Sequence, residues 1–307
     1  MTALLFPGQG AQQPGFLHDL PDDPQVAATL HEASQVLEQD ILSLDTAAAL
    51  DSTVAVQLTV LIAGVAVTRA LVARGVRPSA AAGLSVGSFT AAVAADAIDF
   101  ADALRLVRLR ATQMAAAYPT GYGLAAFEGL SARRLTELVK AIATPDQPLY
   151  LANLNAPTEI VVTGAYAALE ALMRSAQAAG ARRAQRLAVT VPSHCPLMDR
   201  VSSQLTEAIK AVPIRPPRLT YVGNRRARVL RDADAVREEL ATNVSHPVLW
   251  YDCTSLLYEL GERVYIEPPP GAVLTGLVAS TFKDVDARAA AQTPLDALVI
   301  FANSSPG

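Results

Sequence analysis

Apolar residues along the first third of the chain fall into short and long runs that alternate. Thr2–Phe6 and Ala80–Leu84 are short runs typical of buried strands, and a glycine-containing turn follows each of them. The longer runs Asp23–Glu38 and Val54–Arg74 predict helices. Phe89–Ala95 begins a further helix that has no polar face, as expected at the centre of an α/β core. This alternation predicts a parallel sheet covered by helices.

Residues 122–191 follow a different pattern, in which four strands and two helices alternate. The predicted elements are the strand Leu124–Leu130, the helix Ser131–Ala143, the strands Tyr150–Asn155 and Glu159–Gly164, the helix Tyr166–Ala179 and the strand Arg186–Val191. The order β-α-β-β-α-β is that of a ferredoxin-like unit. We therefore predict a small subdomain at 122–191, inserted into a large α/β subdomain that consists of 1–121 and 192–307.

The remaining pattern returns the chain to the large subdomain. Asp102–Ala117 is an amphipathic helix just before the insertion. After the insertion we predict a helix at Pro196–Ala211, a strand at Leu219–Gly223 and a final strand-turn-helix at Arg263–Phe282. The predicted fold class is thus α/β, with a parallel sheet in the large subdomain.

Composition narrows the class of protein without identifying a function. The chain of 307 residues is 51% hydrophobic and 18% charged, which is typical of a globular protein with a large core. Its formal net charge of -4 gives no reason to expect nucleic acid or an anionic membrane surface as a partner. Cys195 and Cys253 are its two cysteines, so we expect neither a disulfide framework nor a metal site.

Neither the N-terminus nor the most apolar segment indicates export or membrane insertion. MTALLFPGQG lacks a basic region followed by an apolar one, which argues against a secretory signal. The run from Val54 to Ala73 is interrupted by Gln57 and Arg69, so a buried helix explains it better than a membrane span. We expect a cytoplasmic protein.

The sequence Gly83-Leu84-Ser85-Val86-Gly87 is the strongest candidate for chemistry. G-x-S-x-G is the form of a nucleophile elbow, a sharp strand-to-helix turn that exposes a serine Oγ. A simpler alternative is that glycine and serine end a strand and cap the next helix. A serine becomes a good nucleophile only when a base accepts its proton, so the elbow requires a histidine.

Of the four histidines, His194 has the most suggestive position. His18 and His31 lie in a polar N-terminal stretch that we expect to be exposed, and His246 precedes Pro247 in an extended connection. His194 follows the predicted apolar strand Leu187–Val191, and loops at the carboxyl ends of strands are where α/β folds build active sites. The alternative for His194 is a surface-loop histidine.

Taken together, these motifs resemble the malonyl-CoA:acyl-carrier-protein transacylases over nearly the whole chain. The matching segments, in order, are Phe6-Pro7-Gly8-Gln9-Gly10, Gly83-Leu84-Ser85-Val86-Gly87, Leu106-Val107-Arg108-Leu109-Arg110, Val191-Pro192-Ser193-His194-Cys195, Asn243–Trp250 and Pro270–Leu277. Each motif alone has low specificity, but their shared order and spacing make the set highly specific for this family. The resemblance implies a fold similar to the α/β-hydrolase core with a ferredoxin-like insert.

The resemblance also implies roles for individual residues. Ser85 is the expected acyl-accepting nucleophile and His194 its base, while the backbone N–H groups of Gln9 and Val86 form the oxyanion hole. Arg110 matches the arginine that binds the free malonyl carboxylate, a role that suits the planar guanidinium fork. Without the family match, an ordinary exposed helix arginine would be the better interpretation.

Asn243 lies where the family usually has a glutamine whose main-chain carbonyl orients the histidine. A backbone acceptor tolerates a change of side chain, so this role can survive the substitution. The resemblance implies no aspartate to complete a triad and no bound cofactor. It implies malonyl-CoA as a substrate and a partner protein that carries a CoA-like prosthetic group.

Departures from the family pattern favour one branch of it. The usual G-H-S-L-G-E is Gly83-Leu84-Ser85-Val86-Gly87-Ser88 here, and together with the stretch STVAVQL at 52–58 it looks like the epsilon subunit of malonate decarboxylase. In that branch malonyl passes to the thiol of a carrier subunit. The alternatives are the transacylase of fatty acid synthesis, a serine hydrolase that shares the elbow and histidine, and a non-catalytic subunit that binds a carrier.

Overall fold

The computed structural model describes residues 1–118 and 120–304, which form ten strands in two sheets. In chain order the strands are β1 (Thr2–Phe6), β2 (Ala80–Gly83), β3 (Tyr122–Glu128), β4 (Leu149–Ala156), β5 (Glu159–Ala165), β6 (Arg183–Arg186), β7 (Thr220–Gly223), β8 (Arg228–Leu230), β9 (Val264–Glu267) and β10 (Asp286–Ala289).

Eleven α-helices cover the sheets within the described residues. They are α1 (Pro24–Leu37), α2 (Thr53–Ala73), α3 (Gly87–Ala94), α4 (Phe100–Ala117), α5 (Ala132–Ile142), α6 (Tyr166–Ala178), α7 (Asp199–Ile209), α8 (Ala233–Thr242), α9 (Trp250–Glu259), α10 (Val273–Thr281) and α11 (Leu295–Ser304). Short 3₁₀ turns lie at Ile41–Asp45, Ala49–Asp51, Pro196–Met198 and Asn243–Ser245.

The larger sheet has six strands in the order β10-β9-β1-β2-β7-β8. All neighbouring pairs are parallel except β7 and β8, so the predicted α/β class with a parallel sheet is confirmed. Phe6 is the register partner of Gly83 at the carboxyl ends of β1 and β2. The turns that follow these two strands therefore lie side by side, where parallel sheets place their ligands.

Helix α2 is long and apolar, and its length and composition would suit a membrane span. Of its most apolar window, 89% is buried inside the structure. It packs between α1 and α4 against the larger sheet, and Ser52 caps its N-terminus by accepting from Val54 N–H. The prediction of a buried core helix is confirmed.

The smaller sheet is antiparallel with the order β4-β5-β3-β6, and α5 and α6 pack against it. This order is that of a ferredoxin-like unit, and its strands span 122–186, inside the predicted limits of 122–191. The strand predicted at Arg186–Val191 is wrong, because β6 is Arg183–Arg186 and the following residues form no strand. Leu187, Val189 and Val191 alternate because they line a cleft.

Next to that cleft, one segment of the large subdomain is hydrogen bonded through its backbone to the small sheet. Val248 of the large subdomain donates its N–H to Ala152 O (2.8 Å) and accepts from Leu154 N–H (2.9 Å) through its carbonyl. Ala152 and Leu154 belong to β4, so an edge strand of the small sheet is hydrogen bonded to the large subdomain. These bonds fix one wall of the cleft relative to the other.

Several elements of the large subdomain were not predicted from the sequence. These are β8, α8, α9, β10 and α11, together with the division of the predicted helix Pro196–Ala211 into a 3₁₀ turn and α7. α8 has charged residues over much of its surface, and only four of its residues are buried. α8 is short, and one of its four buried residues is the ionisable Glu239, so the pattern of apolar residues alone did not reveal it.

Candidate active site

Ser85 occupies a strained turn between β2 and α3. Its φ of +58° lies in the left-handed region, which costs a residue with a Cβ about 1–2 kcal/mol. The turn is closed so tightly that a Cβ on Gly83 would lie 1.9 Å from Gly87 O. A Cβ on Gly87 would lie 2.3 Å from Phe6 O. Both glycines are therefore required by close backbone approach, and the sequence forms the predicted elbow.

His194 lies beside the Ser85 hydroxyl. Its Nε2 is 2.7 Å from Ser85 Oγ, and its side chain is almost wholly buried. Its Nδ1 lies 2.8 Å from the main-chain carbonyl of Asn243 and 3.1 Å from that of His246. Carbonyl oxygens only accept, so Nδ1 carries the proton and Nε2 presents its lone pair to the serine.

The environment of His194 keeps this imidazole neutral. Burial, and then the positive charge of Arg110, lower the pKa of His194 to about 4. The two carbonyl partners of Nδ1 oppose this shift by favouring the protonated ring. At neutral pH the ring is therefore unprotonated, and its Nε2 is free to accept a hydrogen bond from the Ser85 hydroxyl.

Arg110 is fully buried on α4 and lies at the same site. Its Nη2 donates to Ser85 Oγ (3.2 Å) and its Nη1 to Gln57 Oε1 (2.6 Å), while Nε has no hydrogen-bond partner among the described residues. No carboxylate of the described chain lies within ion-pair distance of it. Burial lowers the pKa of Arg110 to about 9, which still leaves it charged at neutral pH. The exposed-arginine alternative is wrong.

The other arginines of α4 have a different environment from Arg110. Arg105 and Arg108 are exposed, and Arg105 forms an ion pair with Asp102 one turn away. An exposed ion pair of this kind contributes little to stability. Arg110 is thus the one of these three cations that faces the serine.

Gln9 and Val86 lie on the two turns that the paired strands bring together. Within the described chain neither backbone N–H donates a hydrogen bond to protein atoms. Gln9 follows β1 and Val86 follows Ser85 directly, so both N–H groups belong to the adjoining turns at the carboxyl ends of β1 and β2. An oxyanion hole needs unpaired donors of this kind.

Asn243 contacts both members of the serine–histidine pair. Its carbonyl accepts from His194 Nδ1, as noted above, and its side-chain Nδ2 donates to Ser85 O (3.4 Å). Only the carbonyl contact follows from sequence reasoning. The structure thus brings Ser85, His194, Arg110 and Asn243 together with the N–H groups of Gln9 and Val86, and the roles of all six stay predictions.

The site opens into a cleft of about 250 Å³ between the two sheets. Residues from both subdomains line it, among them Gln9, Leu84 and Met114 from the large one and Leu124, Asn155 and Val161 from the small one. Apolar walls with a few polar groups are typical of a small-molecule site. Ser85 and His194 lie on the wall formed by the large subdomain.

Comparison with known proteins identifies the family. A family model described as "Acyl transferase domain" matches residues 3–296. The malonyl CoA-acyl carrier protein transacylase of Staphylococcus aureus strain MW2 is 33% identical over 289 residues, which cover 92% of this chain and 93% of the relative. The chain belongs to the malonyl-CoA:acyl-carrier-protein transacylase family.

Solved structures of transacylases share the entire fold. An acyl-carrier-protein S-malonyltransferase from Burkholderia pseudomallei 1710b is 35% identical, with a TM-score of 0.92 over 97% of this chain and 99% of that one. A malonyl-transacylase in complex with a type II PKS acyl-carrier protein is 34% identical, with a TM-score of 0.93 and 99% of both chains covered. These relatives favour the transacylase alternative and give no support to the malonate decarboxylase branch.

Two residues of this transacylase site were missed by sequence reasoning. Asn224 accepts from Ser85 N–H through Oδ1 (2.8 Å), and buried Glu239 accepts from Asn224 N–H (2.7 Å). Asn224 directly follows a predicted strand, as Ser85 does. This position at a strand end is the sequence signal that could have marked Asn224 as a site residue. The register between their strands, which the sequence does not state, places them together.

The close packing of the elbow predicts that Gly83→Ala destabilises the protein by about 3 kcal/mol or more, because a Cβ would overlap a backbone carbonyl that cannot move away. Gly276→Ala in α10 is the matched control, since no heavy atom lies within 4 Å of the added Cβ. Urea unfolding measures both variants. Equal stabilities of the two variants would contradict this packing.

The depressed pKa of His194 predicts reactivity in acid. Sulfonylation of Ser85 by the neutral reagent phenylmethylsulfonyl fluoride should rise as pH rises through about 4, where His194 loses its proton. At pH 5 the rate should still be about nine-tenths of its value at pH 7, whereas a histidine with an ordinary pKa would leave only about 4% of its value at pH 7. An acid limb near pH 6.5 in the measured pH–rate profile would show that the ring is not desolvated.

Proposed function

We propose that this protein transfers a malonyl group from malonyl-CoA to the thiol of an acyl-carrier protein through a Ser85 acyl-enzyme. Three observations support the proposal: the 2.7 Å contact between Ser85 and His194, the free N–H groups of Gln9 and Val86, and the buried cation beside the serine. The last of these carries the substrate assignment, because an acyl group with a free carboxylate would give Arg110 its missing counter-ion.

In the first half-reaction Ser85 Oγ attacks the thioester carbonyl while its proton passes to His194 Nε2. The negative charge that forms on the carbonyl oxygen is stabilised by the N–H groups of Gln9 and Val86. The carbon–sulfur bond then breaks, and His194 returns the proton to the departing CoA thiolate. The products are malonyl-Ser85 and CoA with its free thiol.

In the second half-reaction the carrier thiol gives its proton to His194 and attacks the Ser85 ester. The same oxyanion hole stabilises the second tetrahedral intermediate. When the ester carbon–oxygen bond breaks, His194 returns the proton to Ser85 Oγ and the free enzyme is restored. Each substrate reacts separately with the enzyme, which is a ping-pong mechanism.

The main-chain carbonyls of Asn243 and His246 replace the carboxylate of a triad. They accept from His194 Nδ1 and hold the ring so that Nε2 faces the serine. A carbonyl dipole stabilises the imidazolium less than a buried carboxylate would, which agrees with the low pKa of His194. When a malonyl carboxylate neutralises Arg110, the repulsion between the two cations weakens and the ring becomes more basic.

For the carrier, we propose an acyl-carrier protein rather than a malonate decarboxylase subunit. The relatives named above are transacylases of acyl-carrier proteins, and one was solved with its carrier. The open cleft between the subdomains suits a prosthetic arm that delivers a thiol to Ser85. We propose a cytoplasmic location, where malonyl-CoA and such carriers would meet the enzyme.

Intact-mass measurement after incubation with malonyl-CoA tests the proposal. We expect a stable malonyl adduct on wild-type protein, its loss on addition of a phosphopantetheinylated acyl-carrier protein, and no adduct on Ser85→Ala. Release of free malonate without a carrier would instead indicate a hydrolase, and absence of any adduct a non-catalytic subunit. If a malonate decarboxylase carrier removed malonyl from Ser85 faster than an acyl-carrier protein did, the malonate decarboxylase interpretation would be favoured instead.

The His194 assignment predicts that His194→Ala slows acylation of Ser85 roughly 10²–10⁴-fold, the usual effect of removing a positioned general base. His246→Ala is the control. It keeps the main-chain carbonyl that accepts from His194 and removes only a ring that contacts Thr242 O and Ser245 Oγ. Stopped-flow release of CoA measures both rates, and similar losses in the two variants would make the assignment wrong.

The Arg110 assignment predicts a change of selectivity. Removing one partner of a buried charge pair costs about 2–5 kcal/mol, so Arg110→Ala should lower kcat/KM for malonyl-CoA by roughly 1.5–3.5 decades. Transfer from acetyl-CoA should be unchanged or improved, since acetyl has no carboxylate. Arg108→Ala, exposed on the same helix, should change neither value. An equal fall for both thioesters would show that Arg110 is only structural.

A further inference from the structure

Asn224 bridges the backbone on both sides of the Ser85 turn. It directly follows β7, the parallel neighbour of β2, and is fully buried. Its Nδ2 donates to Gly83 O (2.6 Å), and its Oδ1 accepts from Ser85 N–H (2.8 Å). Ser88 Oγ, on the first turn of α3, donates to Gly83 O at 3.0 Å and lies 3.4 Å from the Asn224 oxygen. A single amide therefore joins the end of the strand to the nucleophile, beside the start of the helix.

Glu239 on α8 holds the backbone from which this amide projects. Its Oε1 accepts from Asn224 N–H (2.7 Å), and its Oε2 accepts from Arg225 N–H (3.4 Å). The carboxylate is 5% exposed and packs closely enough that a Cβ on Gly223 would lie 2.8 Å from Oε2. It is thus wedged against the end of β7 and fixes the direction in which Asn224 points.

These contacts affect two features of Ser85, its left-handed backbone and its N–H group. Its left-handed backbone is unfavourable for serine, and the amide of Asn224 bonds the polar groups on either side of the strained residue. The bond also occupies Ser85 N–H. Because that N–H is occupied, it cannot serve an oxyanion, whereas the N–H groups of Gln9 and Val86 donate to no protein atom of the described chain.

We propose that Asn224, held by Glu239, is a positioning residue that sets the Ser85 hydroxyl against His194 Nε2 and the oxyanion donors. Asn224 touches no substrate and acts through the backbone of the turn. This inference rests on the proposed function for its reaction, since it concerns the residue that accepts the acyl group. Without the amide, the turn relaxes and Oγ moves away from the base.

The test compares Asn224→Ala with wild-type protein in two reactions of Ser85. We expect kcat for malonyl transfer to fall about 10–100-fold while KM for malonyl-CoA stays within about twofold, since misplacement near 1 Å costs rate rather than binding. Sulfonylation by phenylmethylsulfonyl fluoride, which needs no malonyl recognition, should slow by a similar factor. Rates are expressed per folded molecule after thermal unfolding has been measured.

Glu239→Gln provides a milder variant should Asn224→Ala fail to fold. Its amide oxygen can still accept from Asn224 N–H, whereas its amide NH2 would face Arg225 N–H and that contact is lost. The backbone on one side of Asn224 is then held less firmly, so we expect a loss of about threefold to tenfold in both reactions. The control is Tyr265→Phe, which removes a buried bond to Glu262 O in the same sheet without touching the turn.

The two proposals fail in different ways. If wild-type protein is sulfonylated on Ser85 but never malonylated, the proposed function is wrong, and the sulfonylation rates still test the role of Asn224. If Asn224→Ala or Glu239→Gln is destabilised like Tyr265→Phe yet reacts at the wild-type rate, the positioning role is overturned. A rise in KM with unchanged kcat would overturn it as well, because it would place Asn224 in substrate binding.

Discussion

The chemistry of this protein depends on one strained turn, in which a serine with left-handed backbone is held between two glycines at the carboxyl end of β2. The turn exists because Gly83 and Gly87 allow backbone atoms to approach more closely than any side chain permits. Parallel pairing with β1 then places the Pro7–Gly10 turn beside it, so that Gln9 and Val86, whose N–H groups donate to no protein atom of the described chain, lie on adjoining turns. Acyl transfer needs a nucleophile and oxyanion donors in fixed relation, and the proposed oxyanion hole depends on this pairing.

A buried charge defines the other half of the site. Arg110 lies in the interior without a carboxylate, its guanidinium held by the Gln57 amide and the serine hydroxyl. The same charge lowers the pKa of His194 and keeps the base unprotonated while the cleft is empty. In the proposed function, a substrate carboxylate neutralises Arg110 and thereby raises the pKa of His194, so that substrate recognition would be coupled electrostatically to the basicity of the ring.

Much of the fold could be predicted from the sequence, because its strongest signals are local. Apolar runs bounded by glycine and proline located β1, β2 and α2, and the β-α-β-β-α-β order of the small subdomain followed from similar runs. The prediction of strands and helices failed where the pattern of apolar residues had another cause or was incomplete. Leu187, Val189 and Val191 alternate as a strand would, yet they line the cleft. Helix α8 was missed because it is short and buries the ionisable Glu239 among its apolar residues.

The sequence by itself determined the elbow, since G-x-S-x-G constrains a turn through neighbouring residues alone, and the ordered motifs brought Ser85, His194 and Arg110 into one hypothesis. Only the tertiary structure decided what surrounds them. Burial of Arg110, the tautomer of His194 and the bond from Ser85 N–H to Asn224 each depend on residues more than twenty positions apart. Hydrophobic patterning encodes which face of an element is buried, whereas the register between strands and the partners of buried polar groups arise only when the elements pack together.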